Sequence, residues 1–295
     1  MSTIPTMPPD SVSVQDRPNP VRRKRNHGWL FHAVMTPISV LWIAPIVFVI
    51  FVSVRSFDDI AANGLGGLPQ SFSLEAFRTA WVDGQIGRAL LNSLIVTVTT
   101  VVLVLFLSSL AAFALSRYSI PLRRTILLLM LAGNLLPPQI LLIPVSKICE
   151  AIGIYDTLTA LIIVQVGFGL GFYTFVLYGF MRGLPNEVFE AARIDGAADM
   201  RIFATIVLPL CRPSLAALGA LASTWIFNDL IWAMTVLRTQ TKFPITAALL
   251  NLQGGFVSSW NVVAAGALIA AIPTAIVFFA FQKHFVSGLL VGASK

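Results

Sequence analysis

One compact charged segment interrupts the apolar second half of the chain. It reads EAARIDGAADMRIFATIVLPL over residues 190–210 and contains carboxylates, arginines and many small residues. A helix is predicted to start just before it, with Asn186 as the N-cap and Glu190 near the end of the helix that favours negative charge. Gly196 is expected to end this helix, because glycine adopts a backbone conformation that strains other residues.

The chemistry of this segment combines acidic groups with very little side-chain bulk. The residues concerned are Glu190, Ala191, Ala192, Asp195, Gly196 and Ala197. A helix of this kind can lie deep in a groove of another protein. A solvated loop on a membrane surface would have the same composition, so the spacing alone leaves both interpretations open. Arg193 follows Glu190 by three residues, which is close enough for a weak ion pair.

A second group of polar residues lies inside long apolar runs. Its members are Asn134, Gln139, Gln165, Asn228 and Asp229. An Asp at the centre of a membrane costs roughly 2.5–3.5 kcal/mol on insertion scales, so such groups line a transport pathway or form hydrogen bonds between helices. Asn228 and Asp229 are the first candidates for a pathway. Gly133, Pro137 and Pro138 are expected to break the helix around Asn134, which is tolerated where helices line a cavity.

The sequence lacks the residue sets that are typical of an enzyme or a metal site. The three histidines have no metal-ligand spacing, and no Ser-His-Asp, Cys-His or paired-carboxylate set lies on one predicted side of the membrane at a convincing spacing. A phosphate-binding P-loop needs Gly-Lys followed by Ser or Thr, and no lysine has that context. We therefore expect no catalytic residue, no metal and no cofactor. An intramembrane enzyme is a weak alternative.

The composition indicates a membrane protein. Of the 295 residues, 57% are hydrophobic and only 11% are charged, whereas soluble domains carry about 25% charged residues. A transmembrane helix takes roughly 20 apolar residues. Six runs reach that length, at residues 30–54, 89–115, 125–148, 157–180, 213–237 and 262–281. The expected fold is an all-α membrane protein with six transmembrane helices.

The basic residues predict the orientation in the membrane. Most of the 20 lysines and arginines lie in segments on the same side as the N-terminus, so the positive-inside rule puts both termini in the cytoplasm. Topology thus explains the net charge of +7, and no nucleic-acid partner is expected. Residues 1–29 are expected to form a disordered cytoplasmic tail and residues 284–295 a second tail. The six-helix domain spans residues 30–283, and residues 181–212 are its longest inner loop.

Several sequence stretches resemble a transporter family. EAARIDGA followed by IVLPL is similar to the EAA loop of permease subunits in binding-protein-dependent ABC importers. The resemblance to the second permease subunit of maltose-type sugar importers extends to NSLIVTVTT, AAFALSRYSIPLRR, LPNEVFEAARIDGA, IFNDLIWAM and FQKHFVSGLLVGASK. Two features depart from the family pattern. Phe227 stands where many relatives have Trp, and the ending GASK replaces the commoner Gly-Ala-Val-Lys.

The resemblance implies an ABC type I importer permease fold in a bacterial cytoplasmic membrane. It implies that residues 190–197, within the EAA loop (residues 181–212), couple this chain to a separate ATPase that binds ATP and Mg²⁺. The implied partners are a second, homologous permease, two copies of the ATPase, an extracytoplasmic substrate-binding protein and a sugar. An ion-coupled secondary transporter is the alternative, although the missing internal repeat and the EAA-type loop argue against it.

Overall fold

The structure, a computed structural model, describes residues 28–252 and 259–293. Residues 1–27 of the predicted N-terminal tail lie outside the described residues. The helices are α1 (Gly28–Ser53), α2 (Phe57–Asn63), α3 (Glu75–Val82), α4 (Ile86–Arg117), α5 (Arg123–Ala132), α6 (Pro138–Ala151), α7 (Leu158–Arg182), α8 (Asn186–Ile194), α9 (Asp199–Ile202), α10 (Leu208–Leu210), α11 (Arg212–Phe227), α12 (Ile231–Val236), α13 (Ile245–Leu252) and α14 (Trp260–Ala293).

The chain divides into two compact units, Met1–Val47 and Phe48–Lys295. The described part of the first unit is the larger portion of α1, which is apolar throughout and contains Pro37 and Pro45. Large apolar side chains such as Leu41 and Trp42 are exposed there. This surface suits a hydrocarbon environment, because water would not favour so many apolar groups on one helix.

The second unit is built on the pairing of α4 with α7. Small and polar residues are buried where these helices meet, including Thr100 and Ser108 on α4 and Thr174 on α7. The hydroxyl of Ser108 donates a hydrogen bond to the Leu170 carbonyl at 3.3 Å. Close packing through small side chains is the usual way in which helices associate inside a membrane. Helices α11, α13 and α14 pack around this pair.

Four described helical stretches are long and apolar enough to cross a membrane. They lie at Phe31–Ser53, Ile86–Arg117, Leu158–Arg182 and Trp260–Ala280. A fifth is obtained if Asp199–Leu210 and Arg212–Phe227, which are bent by 73° at their junction, form one span. The expected helical membrane fold is therefore confirmed, while six spans and two cytoplasmic termini stay predictions. The backbone of α14 continues as a helix through most of the predicted C-terminal tail.

The predicted third and fifth spans are interrupted helices. Helix α5 ends at Ala132 and α6 begins at Pro138, so the expected break around Gly133 and Pro137 is confirmed. Helix α5 lies directly on α7, because Gly171 has no side chain where the Met130 carbonyl approaches. The fifth run breaks after Phe227, and a short turn separates α11 from α12.

The loop between α1 and α4 is organised by a buried ion pair. The Arg55 guanidinium is fully buried and lies 2.9 Å from the Asp59 carboxylate. Arg55 also donates to the carbonyls of Gly64 and Leu65, at 3.0 Å each. The hydrogen bond from Arg55, with a second from Asn63, lowers the pKa of Asp59 to about 2. Each side of the pair therefore has the partners that a buried charge requires.

Candidate functional site

The EAA loop forms the helix and turn expected from its sequence, with one correction. Pro185 occupies the N-cap position of α8, and its side chain makes no capping hydrogen bond. Asn186 is the first helical residue, so the prediction that it caps the helix is wrong. At the other end Gly196 has φ of +76°, as the predicted turn requires.

The surface of the EAA loop presents acidic and very small residues. Glu190, Ala191, Asp195 and Gly196 are exposed, and a side-chain carbon added to Gly196 would have no atom within 4 Å. Beside them the apolar side chain of Ile194 is 86% exposed. The result is an open surface with a charged edge, an apolar group and little bulk.

Two of the six predicted coupling residues have a different environment. Ala192 and Ala197 are half-buried and pack against the core that includes Phe189 and Phe203. They join the EAA loop to the helix bundle, whereas the other four residues face outward. The predicted set therefore divides into a packed half and an exposed half.

The ion pair in the EAA loop differs from the one expected. Arg193 lies 3.3 Å from Asp199, so the expected pair of Arg193 with Glu190 is wrong. Asp199 also accepts a hydrogen bond from the Tyr118 hydroxyl at 2.6 Å. The hydrogen bond from Tyr118 lowers the pKa of Asp199, with Arg193 acting in the same direction, and the same hydrogen bond raises the pKa of Tyr118. These contacts fix the turn that follows Gly196.

Arg117 and Tyr118 contact the EAA loop and were not identified from the sequence. The Arg117 guanidinium donates to the Asn186 side chain at 2.8 Å and to two carbonyls at the end of α7 and just beyond it. The only sequence signal was the stretch SRYSIPLRR, in which the basic residues were interpreted as topology signals. Contacts between residues more than 60 positions apart need the tertiary fold.

Three of the predicted pathway residues meet in one pocket. Asn134, Gln165 and Asp229 line a cavity of about 170 Å³ between α5, α7 and α11. The amide of Gln165 donates to the Asp229 carboxylate at 3.2 Å. Asp229 also accepts the backbone N–H of Ala233 at 3.2 Å, and so it caps α12. The carboxylate thus forms a hydrogen bond between helices and lies in a pocket wall, while its role in a transport pathway stays a prediction.

Aromatic rings form much of the remaining pocket wall. Phe168 stacks on Trp232 with ring centroids 4.5 Å apart, and Phe172 lies 5.6 Å from the exposed ring of Trp225. Asp229 is the one charged residue among the residues that line this cavity. A pocket with apolar ring faces and a few oriented polar groups is typical of a small-molecule site.

Two predicted pathway residues lie elsewhere. Asn228 lines a separate cavity of about 600 Å³ with Phe227, Thr246 and residues of α14, and its amide donates to the Thr224 carbonyl at 2.8 Å. Gln139 is exposed near the start of α6. The structure therefore groups three of the five residues, and it separates Asn228 from its neighbour Asp229 because the chain turns between them.

Long apolar helices, a pocket with a few polar groups and an exposed charged loop are typical of a multi-pass membrane protein of the transport class. Residues 104–291 match the family of the binding-protein-dependent transport system inner membrane component. The chain belongs to this family.

Three relatives match most of the chain. The diacetylchitobiose uptake system permease protein NgcG of Streptomyces coelicolor is 31% identical over 92% of this chain and 90% of its own length. The melibiose/raffinose/stachyose import permease protein MelC of Bacillus subtilis is 30% identical over 85% of this chain and 91% of its own. The alpha-glucoside transport system permease protein AglG of Rhizobium meliloti is 35% identical over 77% of this chain and 61% of its own.

Solved structures show the same fold. A chain of a bacterial ABC transporter involved in import of the acidic polysaccharide alginate superposes with a TM-score of 0.75 at 24% identity, over 91% of this chain and 100% of that chain. A chain of the MetNI methionine ABC transporter in an inward-facing conformation superposes with a TM-score of 0.54 at 18% identity, over 70% of this chain and 95% of that chain. The helix arrangement is therefore that of an ABC importer permease.

Proposed function

We propose that this chain is the membrane-spanning subunit of an ATP-driven importer for a sugar or a related polar solute. The observation that carries the proposal is the pocket around Asp229, which combines one carboxylate, two amides and aromatic rings. Sugar hydroxyls pair with carboxylates and amides, and the apolar faces of sugar rings pack on aromatic side chains. The three relatives named above, whose names refer to sugar uptake, support the same substrate class.

The energy for transport comes from a partner in this proposal. The full sequence has no lysine in a Gly-Lys-Ser or Gly-Lys-Thr context, so ATP and Mg²⁺ are assigned to a separate ATPase. Glu190, Ala191, Asp195 and Gly196 form the exposed part of the EAA loop and are proposed to contact that ATPase. Ala192 and Ala197 belong to the same coupling element and hold it against the bundle.

The complete transporter is proposed to contain two permeases, two ATPases and an extracytoplasmic binding protein. This chain supplies half of the pathway, with Asn134, Gln165 and Asp229 in its wall and with Asn228 and Gln139 at neighbouring positions. A cavity of about 170 Å³ is small for an oligosaccharide. A second permease that completes the wall would enlarge it. The proposed location is a bacterial cytoplasmic membrane, with the EAA loop on the cytoplasmic side.

Reconstitution in vesicles tests the proposal. With ATPase, ATP and Mg²⁺ inside and with the binding protein and a labelled sugar outside, we expect uptake only when the second permease and the ATPase are both present. An ion gradient without ATP should drive no uptake. Sugar uptake by this chain alone under an ion gradient would contradict the proposal, and so would a stable homo-oligomer that transports without a second permease.

A further inference from the structure

The end of α4 at the EAA loop contacts the first half of that loop through Arg117. Its guanidinium donates to the Asn186 side chain at 2.8 Å and to the carbonyls of Met181 and Leu184. The same group lies 3.6 Å from the centre of the Phe189 ring. Phe189 is the one buried residue of α8. The Phe189 ring, which anchors α8 in the core, is therefore in direct contact with the Arg117 guanidinium.

The next residue of the chain contacts the second half of the loop. The Tyr118 hydroxyl donates to Asp199 at 2.6 Å, and Asp199 is also paired with Arg193 at 3.3 Å. Arg117 and Tyr118 thus contact the EAA loop before and after the turn at Gly196. A rotation or shift of the loop would have to carry the end of α4 with it or break these contacts.

The opposite end of α4 has a second set of specific contacts. The Asn92 amide donates to the carbonyls of Thr241 and Phe243, at 3.1 Å each. The Ser93 hydroxyl accepts the backbone N–H of Ile245 at 2.8 Å. Both side chains are buried. They bind the segment 241–245, which leads into α13.

A continuous helix joins these two sets of contacts. Helix α4 has 32 residues, which corresponds to roughly 48 Å at 1.5 Å per residue. Helix α4 packs on α7 and α11, and its buried residues run from Ile86 to Leu115. Rigid secondary-structure elements are one of the physical routes by which coupling passes between distant sites.

We infer that α4 links movement of the EAA loop to the segment 241–245, with Arg117 and Tyr118 as the positioning residues at the loop. The inference rests on the proposed function, in which the EAA loop is the part of this chain that the ATPase moves. It adds a route from that loop to the other end of the bundle and assigns a role to two residues outside the EAA loop itself.

Hydrogen exchange of the assembled transporter tests this route. In the wild-type complex, addition of ATP and Mg²⁺ should change amide exchange in residues 186–199 and in residues 241–245. The variants are Arg117→Lys, which keeps the charge but loses the planar fork, and Tyr118→Phe, which removes one hydroxyl. Arg124→Lys is the matched control, because Arg124 is exposed and lies outside the EAA loop.

The expected result separates the two ends of α4. In Arg117→Lys the exchange response of residues 186–199 should persist, while the response of residues 241–245 falls about tenfold, as expected when a charge-assisted hydrogen bond is lost. Tyr118→Phe should also lower the response of residues 241–245, because it removes the hydrogen bond to the ionised Asp199 carboxylate. Arg124→Lys should behave as wild type. Recovery of the second permease and ATPase in pull-down should be unchanged in all three variants.

Other results would overturn the inference. A wild-type response at 241–245 in both Arg117→Lys and Tyr118→Phe would show that α4 is not the link, and loss of ATPase binding in Arg117→Lys would show that Arg117 only shapes the docking surface. A wild-type complex that responds at 186–199 but not at 241–245 would overturn the inference and leave the proposed function intact. A wild-type complex without any response at 186–199 would refute the proposed function.

Discussion

Replacing Asp229 by Asn removes the negative charge from the pocket but keeps a side chain that can form hydrogen bonds there. Asp229 accepts hydrogen bonds from Gln165 and from the backbone N–H of Ala233, at 3.2 Å each, and a longer one from Trp232 at 3.5 Å. An Asn oxygen can still accept from the backbone. The Gln165 amide and the Ala233 N–H donate to the same oxygen, Oδ2, so an Asn oxygen in that position keeps both bonds, and the NH₂ group replaces Oδ1, which accepts only the longer bond from Trp232.

The size of the expected loss of stability follows from replacing a charged hydrogen-bond acceptor by a neutral one. A hydrogen bond to a charged group contributes about 1.5–3 kcal/mol and a neutral one about 0.5–1.5 kcal/mol. Asp229→Asn should therefore destabilise the fold by roughly 1–2 kcal/mol and leave assembly intact. A sugar hydroxyl bound to the Asp229 side chain should lose a similar amount of binding free energy. KM for transport should therefore rise roughly tenfold, the equivalent of about 1.4 kcal/mol.

The assay is uptake of labelled solute by the reconstituted transporter, with expression and recovery of the second permease measured in parallel. Asp58→Asn is the matched control, because it makes the same chemical change at an exposed site in the loop between α1 and α4. Wild-type KM and maximal rate in Asp229→Asn, with normal expression, would refute the assignment of Asp229 to the pathway. Its hydrogen bonds to α7 and α12 would then be purely structural.

Two further predictions concern the loop ion pair and the packing of α5 on α7. The pKa of Asp59 is lowered to about 2, so its ion pair with Arg55 stabilises the loop at pH above the unfolded pKa of about 4, and this contribution is lost as the pH falls through the folded pKa. Protease resistance of residues 56–70 should therefore hold from neutral pH to about 5 and be lost in more acidic buffer. Loss of resistance near neutral pH would contradict this prediction. Gly171→Ala forces a methyl group against the Met130 carbonyl and should destabilise the fold by about 1–3 kcal/mol, measured as a lower unfolding temperature in detergent. Gly167→Ala is the control and should leave the unfolding temperature unchanged, because a methyl group there meets open space. Equal unfolding temperatures for the two variants would refute the close approach of α5 to α7.

Local sequence rules predicted the local features of this chain. Composition identified a helical membrane protein, and Gly133 with its following prolines identified the break between α5 and α6. Gly196 was expected to adopt a positive φ, and it does. Each of these follows from the preference of one residue or one short run, which the surrounding fold does not override.

Features that depend on tertiary contacts were not predictable in the same way. Asn186 was expected to cap α8, but its side chain instead accepts a hydrogen bond from Arg117, which lies 69 positions away in the chain. The pathway residues were grouped because they are polar and intramembrane, yet Asn228 and Asp229 face different cavities. Composition cannot distinguish Arg117, which contacts the EAA loop, from neighbouring arginines that contribute only to the charge of a loop.

The exposed part of the EAA loop is proposed to bind the ATPase. Gly196→Asp adds a charged side chain at φ of +76° on an open surface, and Gly153→Asp adds the same side chain at φ of +75°, also in open space, beyond the end of α6. The two variants carry the same backbone strain and the same new charge, so they differ in whether they alter the proposed docking surface.

Pull-down of the ATPase by the assembled pair of permeases is the most direct measurement. We expect Gly196→Asp to lower ATPase recovery at least about tenfold, the loss that roughly 1.4 kcal/mol of binding free energy produces, while the second permease is still recovered. Gly153→Asp should bind the ATPase as wild type does. Full ATPase binding and full coupled transport in Gly196→Asp would contradict the docking role of residues 190–197.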